Sequence, residues 1–170
     1  MEREQKQSQE VGVASTGGAK ASSAGHTAVD AALTAQGSGQ AHPSGAQLHT
    51  GPVAAAAATQ LNAAAFTAGN NVYFGAGQGP SNQALLNHEL AHVQQTRGLA
   101  PPTAGNYTVS DPHGAAEMNA KGAESGGAAG GGGAGGTIYR NPLGTDGSAS
   151  TAPAGAAPAR WRSPRSAAPP

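Results

Sequence analysis

The side chains able to close a hydrophobic core are confined to one window of this chain, and that confinement limits what it can fold into. Apart from Met1, the large apolar residues outside Val29 to Met118 are Val11, Val13, Ile138, Tyr139, Leu143 and Trp161. Full burial of such a side chain contributes roughly 1.5–3 kcal/mol, and residues this scattered do not close a second core. The flanks are rich in Gly, Ala, Ser, Gln and Pro, residues that lose much entropy on ordering or bury little area. The sequence therefore predicts a disordered arm over 1–27, one core over 28–120 and a disordered Gly/Ala/Pro-rich tail over 121–170. Within that tail, Thr137-Ile138-Tyr139-Arg140 is an island with the composition of a docking strand.

The window divides into recognisable elements. Val29 and Leu33, four apart, predict a short helix over 27–35. The alanine-rich run over 52–65 predicts a second, because alanine is the strongest helix former and proline suits a first turn. The runs 66–68 and 72–74 flank Gly69-Asn70-Asn71 and predict a hairpin. Ser81 is placed to cap a helix through Leu85, Leu86, Leu90 and Val93 to about Arg97, with Gly98 as its stop and Pro101-Pro102 forbidding continuation. A further helix is expected after the break, with Asp111 as cap and Pro112 in its first turn. The fold class read from this pattern is α+β, mainly helical.

Global properties exclude several classes of function. Nine basic and nine acidic residues give zero formal net charge, so no nucleic-acid partner is expected from charge. No apolar run approaches the ~18 residues needed to span a bilayer. The polar start, Met1 to Glu10, does not read as a secretory signal peptide. Cysteine is absent, so a metal would have to be held by His, Asp, Glu or water.

The clearest chemical signal is His88-Glu89-Leu90-Ala91-His92. Two histidines four apart project from one face of a helix, within reach of a single ion. Zinc is the expected cofactor. Glu89 lies about 100° around the helix, where it can take a proton from a zinc-held water without ligating. The alternative is a surface helix carrying two incidental histidines. A catalytic zinc takes three protein ligands and keeps one open position. Glu117 is the first choice for the third, His113 the second and Asp111 the third. Tyr107, Tyr73 and His113 are the candidates to stabilise an oxyanion. His26, His42 and His49 read as structural or surface residues.

Three stretches carry a family resemblance: Leu48-His49-Thr50, Ala63 to Phe74, and Leu85 to Gln95. Together they resemble the eCIS core domain, a metallopeptidase-like domain encoded near bacterial extracellular contractile injection systems. The resemblance covers Val29 to Ala120 and is most specific in the motif helix with its trailing Val93-Gln94-Gln95. It implies a small zincin-like core, zinc held by His88 and His92, and Glu89 as catalytic residue. The family's downstream acidic segment corresponds to Asp111 to Ala120. The resemblance further implies association with phage-tail-like injection particles, as an effector or a loading module. The protein would then be made in the bacterial cytoplasm and delivered by the particle.

Two functions follow from this reading. The first is a zinc endopeptidase acting on itself or on a peptide or protein partner. The second is a non-catalytic packaging or interaction module that keeps the fold. A weaker third reading takes Arg160, Trp161 and Arg162 as a contact for an anionic surface.

Overall fold

The structure is a computed structural model, and it describes residues 25–128 and 130–143. The arm before residue 25, most of the tail and the Arg160-Trp161-Arg162 cluster lie outside the described residues. In chain order the elements are α1 (Thr27–Thr34), β1 (Gln40–Ala41), β2 (Gln47–His49), α2 (Pro52–Gln60), β3 (Ala63–Ala68) and β4 (Asn71–Phe74). Then come α3 (Gln83–Gln95), β5 (Thr108–Val109), α4 (Ala115–Glu124) and β6 (Thr137–Pro142). No helix among the described residues is long and apolar enough to cross a membrane.

The strands form one mixed six-stranded sheet in the order β1-β2-β4-β3-β6-β5. β3 lies inside it, antiparallel to β4 on one side and to β6 on the other. Alternation along β3 and β4 sends side chains to two separate cores. Phe66, Ala68 and Tyr73 join Ile138 of β6 in packing against α1 and α2. Ala65, Val72 and Phe74 face the other way, onto Leu85, Leu86 and Val93 of α3. Ala91 of α3 meets Ala120 and Ala123 of α4, and these small side chains bring the two helices close.

This arrangement corrects the expectation of a mainly helical fold: the centre of the molecule is the sheet. Two physical effects hid it. The alanine run read as one helix over 52–65 breaks after Gln60, where Asn62 takes a left-handed φ of +50°. Ala63 to Ala65 then continue as strand, paired with β6 and, from Ala65, with β4, and Ala63 and Ala65 are buried. The remaining strands are short and non-local, and pairing between distant segments leaves no periodicity in either one. The island Thr137 to Arg140 is among them, docked between β3 and β5 as part of β6. Residues 121–142 thus lie largely within the described fold, where the sequence suggested that a tail begins at 121.

Local signals placed the other elements more closely. The hairpin turns on Gly69 and Asn70, and Gly69 adopts the φ of +64° that a first turn position demands. Asn82, one residue past the expected Ser81, caps α3 by accepting from the Leu85 N–H at 3.3 Å. Gly114 rather than Asp111 precedes α4, and Asp111 instead accepts from the His113 N–H.

Glycine in the 130–136 segment serves close approach. The Gly133 N–H donates to the Gln95 carbonyl at 3.0 Å, holding the segment against the end of α3. A Cβ at Gly133 would lie 2.8 Å from that carbonyl oxygen, whereas one at Gly132 would meet nothing within 4 Å. Gly133→Ala is expected to destabilise the chain by about 1–3 kcal/mol in urea unfolding. Gly132→Ala should leave it unchanged or raise it by up to about 1 kcal/mol. Equal effects would show that the segment is not packed on α3.

Candidate metal centre

Between α3, α4 and the inner face of β3 and β6, three side chains converge. His88 and His92, one turn apart on α3, point their Nε2 atoms at the same place, 3.2 Å from each other. From α4, Glu117 brings Oε2 to 3.2 Å from His88 Nε2 and 3.0 Å from His92 Nε2. All three residues are buried, with at most 4% of their surface exposed. Among the described residues they form a group of donor atoms close enough together that it could hold a metal ion.

The hydrogen bonds behind these atoms decide their chemistry. His88 donates from Nδ1 to Glu124 Oε1 at 2.8 Å, and His92 donates from Nδ1 to Gln95 Oε1 at 2.8 Å. Gln95 spends its amide N–H groups on the carbonyls of Ala116 and Gly130, which fixes its oxygen toward His92. A neutral imidazole that donates from Nδ1 presents a lone pair at Nε2. The centre is therefore two nitrogen lone pairs and a carboxylate oxygen within 3.2 Å. Tetrahedral zinc with ligands at 2.0–2.1 Å separates them by roughly 3.3–3.4 Å. Donor set and spacing both fit zinc, and outer partners on ligand imidazoles are the usual companions of such a site.

Glu89 lies beside the group, fully buried. Its Oε2 accepts from the Thr67 hydroxyl of β3 at 2.6 Å, while Oε1 has no hydrogen-bond partner among the described residues. Burial raises its pKa, opposed by the nearby His88 and His92. Across the group, the Tyr139 ring of β6 stacks on His92 with centroids 4.7 Å apart.

The structure thus brings His88, His92 and Glu117 together, with Glu89 adjacent, and separates the other candidates from them. His113 and Asp111 are exposed in the turn before α4. Tyr73 belongs to the core on the opposite face of the sheet, donating to the Ala32 carbonyl. Tyr107 belongs to the same core and pairs with His26. His49 is buried against Asn71 and Tyr73, and His42 bonds Ser44. Sequence reasoning missed Thr67, Gln95, Ser110, Glu124 and Tyr139. Spacing could have found two of these: Gln95 is one turn beyond His92, and Glu124 is two turns beyond Glu117 on the same face.

Charge in the metal-free chain follows from the geometry. Burial alone would push Glu117 up, but the His88 and His92 imidazoles and the Ser110 hydroxyl beside its carboxylate outweigh it and bring its pKa down to about 2. Burial alone would lower His88, but the Glu117 hydrogen bond and the charges of Glu89 and Glu117 raise it to about 9. A proton on His88 then supplies the positive charge the cluster lacks. Because the folded His88 pKa is raised, its contribution to stability is complete below about pH 6.5 and lost as pH rises through 9. Glu117, lowered, contributes fully above about pH 4.5 and loses its contribution as pH falls toward 2. The melting temperature of chelator-treated protein should therefore fall between pH 7 and about pH 10. His88→Gln should flatten that decline; an unchanged decline would place its cause elsewhere.

Comparison with known proteins covers the first part of this architecture. No curated protein and no solved structure gives a significant match to the chain. A family model does match, from α1 through the end of the motif helix; Glu117, β5, α4 and β6 lie beyond it. Residues 27–100 match the model of the eCIS core domain, and this is the family that the sequence resembles.

Proposed function

We propose that this protein is a zinc-binding, metallopeptidase-like component of a bacterial contractile injection system, serving as an effector or a loading module. The single observation that carries the zinc assignment is the convergence of His88 Nε2, His92 Nε2 and Glu117 Oε2 within 3.2 Å. The family match supports the injection-system context, in which particle components are the natural partners. Synthesis in the bacterial cytoplasm followed by delivery in the particle belongs to the same reading.

His88, His92 and Glu117 would hold the zinc, leaving a fourth position open. Zinc bound there supplies Lewis acidity, polarising a peptide carbonyl and bringing water into a range where a carboxylate deprotonates it. The chain supplies the proton handling. Thr67 anchors Glu89 through Oε2, which leaves Oε1 as the atom that accepts a proton and later releases it. A hollow of about 300 Å³ lined by Pro112, His113, Met118 and Lys121 borders Glu117. It offers a peptide substrate one side of approach.

A second reading, a non-catalytic packaging or interaction module, is favoured by a different observation. Glu89 and His92 are fully buried and Tyr139 lies flat on His92, so the bound metal would serve to tie α3 to α4.

Two measurements separate these readings. In zinc titrations, His88→Ala, His92→Ala and Glu117→Ala should each lose more than the roughly 10–100-fold in affinity typical of removing an outer partner. Glu89→Gln should bind zinc as the wild type does; weak binding by the wild type itself would sink the assignment. In casein and self-cleavage assays, the active reading expects Glu89→Gln to lose about 10²–10⁴-fold in rate. Stoichiometric zinc with equal inertness of both proteins would leave the packaging module.

A further inference from the structure

Glu117 has two carboxylate oxygens, and the structure treats them differently. Oε2 faces His88 and His92. Oε1 is held from behind, accepting from the Ser110 hydroxyl at 2.6 Å and from the Arg140 N–H at 3.2 Å. These two donors come from the chain segments that follow β5 and form β6, outside the helices that supply the ligands. Ser110 is itself pinned, because its N–H donates to the Ile138 carbonyl at 2.8 Å in the β5–β6 pairing. The Arg140 N–H also reaches Ser110 Oγ at 3.3 Å, so hydroxyl, amide and carboxylate form one closed cluster.

We propose that Ser110 is a positioning residue that keeps Glu117 a one-oxygen ligand and thereby keeps a coordination position open. The inference rests on the zinc reading above. A carboxylate can bind a cation through one oxygen or both, and the choice sets the coordination number. A short hydrogen bond to a charged acceptor is among the stronger kinds, and here it withdraws Oε1 from the metal. Two imidazoles and one carboxylate oxygen fill three of four tetrahedral positions, which is the ligand count of a catalytic zinc. Without the Ser110 hydroxyl, a single long amide contact would hold Oε1. The carboxylate could then rotate to bind through both oxygens, and the fourth position would close.

The test uses the full chain, stripped of metal and loaded with Co²⁺, whose visible absorption reports coordination geometry. Wild type and Ser110→Thr, which retains a hydroxyl, should share an intense four-coordinate spectrum. Ser110→Ala should bind Co²⁺ with a changed spectrum, and added azide, which fills the open position and shifts the wild-type spectrum, should leave it unmoved. A Ser110→Ala spectrum identical to wild type overturns the positioning role while leaving the metal site standing. Failure of the wild type to bind Co²⁺ or Zn²⁺ removes the metal reading itself, a distinguishable result. X-ray absorption on the zinc-loaded wild type needs no variant and covers the case in which Ser110→Ala does not fold. A first shell of about four nitrogen and oxygen atoms, with no carboxylate carbon at the short distance that two-oxygen binding imposes, supports the proposal; such a carbon, or a shell of five or six, overturns it.

Discussion

Two imidazole nitrogens and a carboxylate oxygen, each presenting electron density to the same point and shielded from water, repel one another unless a positive charge sits between them. That constraint organises one half of this molecule. Glu124 and Gln95 take up the Nδ1 protons and so commit both Nε2 lone pairs to the centre. Ser110 and the Arg140 amide hold Glu117 from behind. In the metal-free chain a proton on His88 meets the requirement, as its raised pKa of about 9 expresses. A divalent cation meets it better, and its binding would displace that proton.

The sheet is what allows four separated stretches of chain to reach this point. β3, in the sheet interior, supplies Thr67 beneath Glu89 on one face while Phe66 and Ala68 pack the opposite core. β6 enters beside it from the far end of the described chain, bringing Tyr139 onto His92 and the Arg140 amide onto Glu117. The 130–136 segment returns across the end of α3 on glycine, because a side chain at Gly133 would collide with the Gln95 carbonyl. The same Gln95 orients His92, so packing of this segment and alignment of a ligand meet in one residue. The matched family stretch ends at residue 100, before the third ligand and everything that holds it.

What could be read from the sequence depended on whether the signal was local. The motif helix, its stop at Gly98 and the Gly69-Asn70 turn were legible because caps, periodicity and turn chemistry act within a few residues. Glu117 was singled out because the window offers few acids after the helix break, and the structure brings it to the two histidines. The mainly helical expectation failed on alanine: its helix propensity is a weak prior, and pairing with β4 and β6 on either side decides instead. Nothing local marks Ser110 for Glu117, seven residues on, and the island holding Tyr139 reads as a strand without pointing to His92 on α3. Asp111 shows the converse, a residue with a strong local signal whose carboxylate closes a turn rather than capping α4.

The account stands on the identity of the three atoms at the centre. A crystal structure of the zinc-loaded full chain, with anomalous diffraction recorded on either side of the zinc edge, locates the ion without assumption. The expected result is one full-occupancy peak about 2.0–2.2 Å from His88 Nε2, His92 Nε2 and Glu117 Oε2. Zinc bound instead at His113 with Asp111, at His42 or His49, or nowhere on the chain would contradict it.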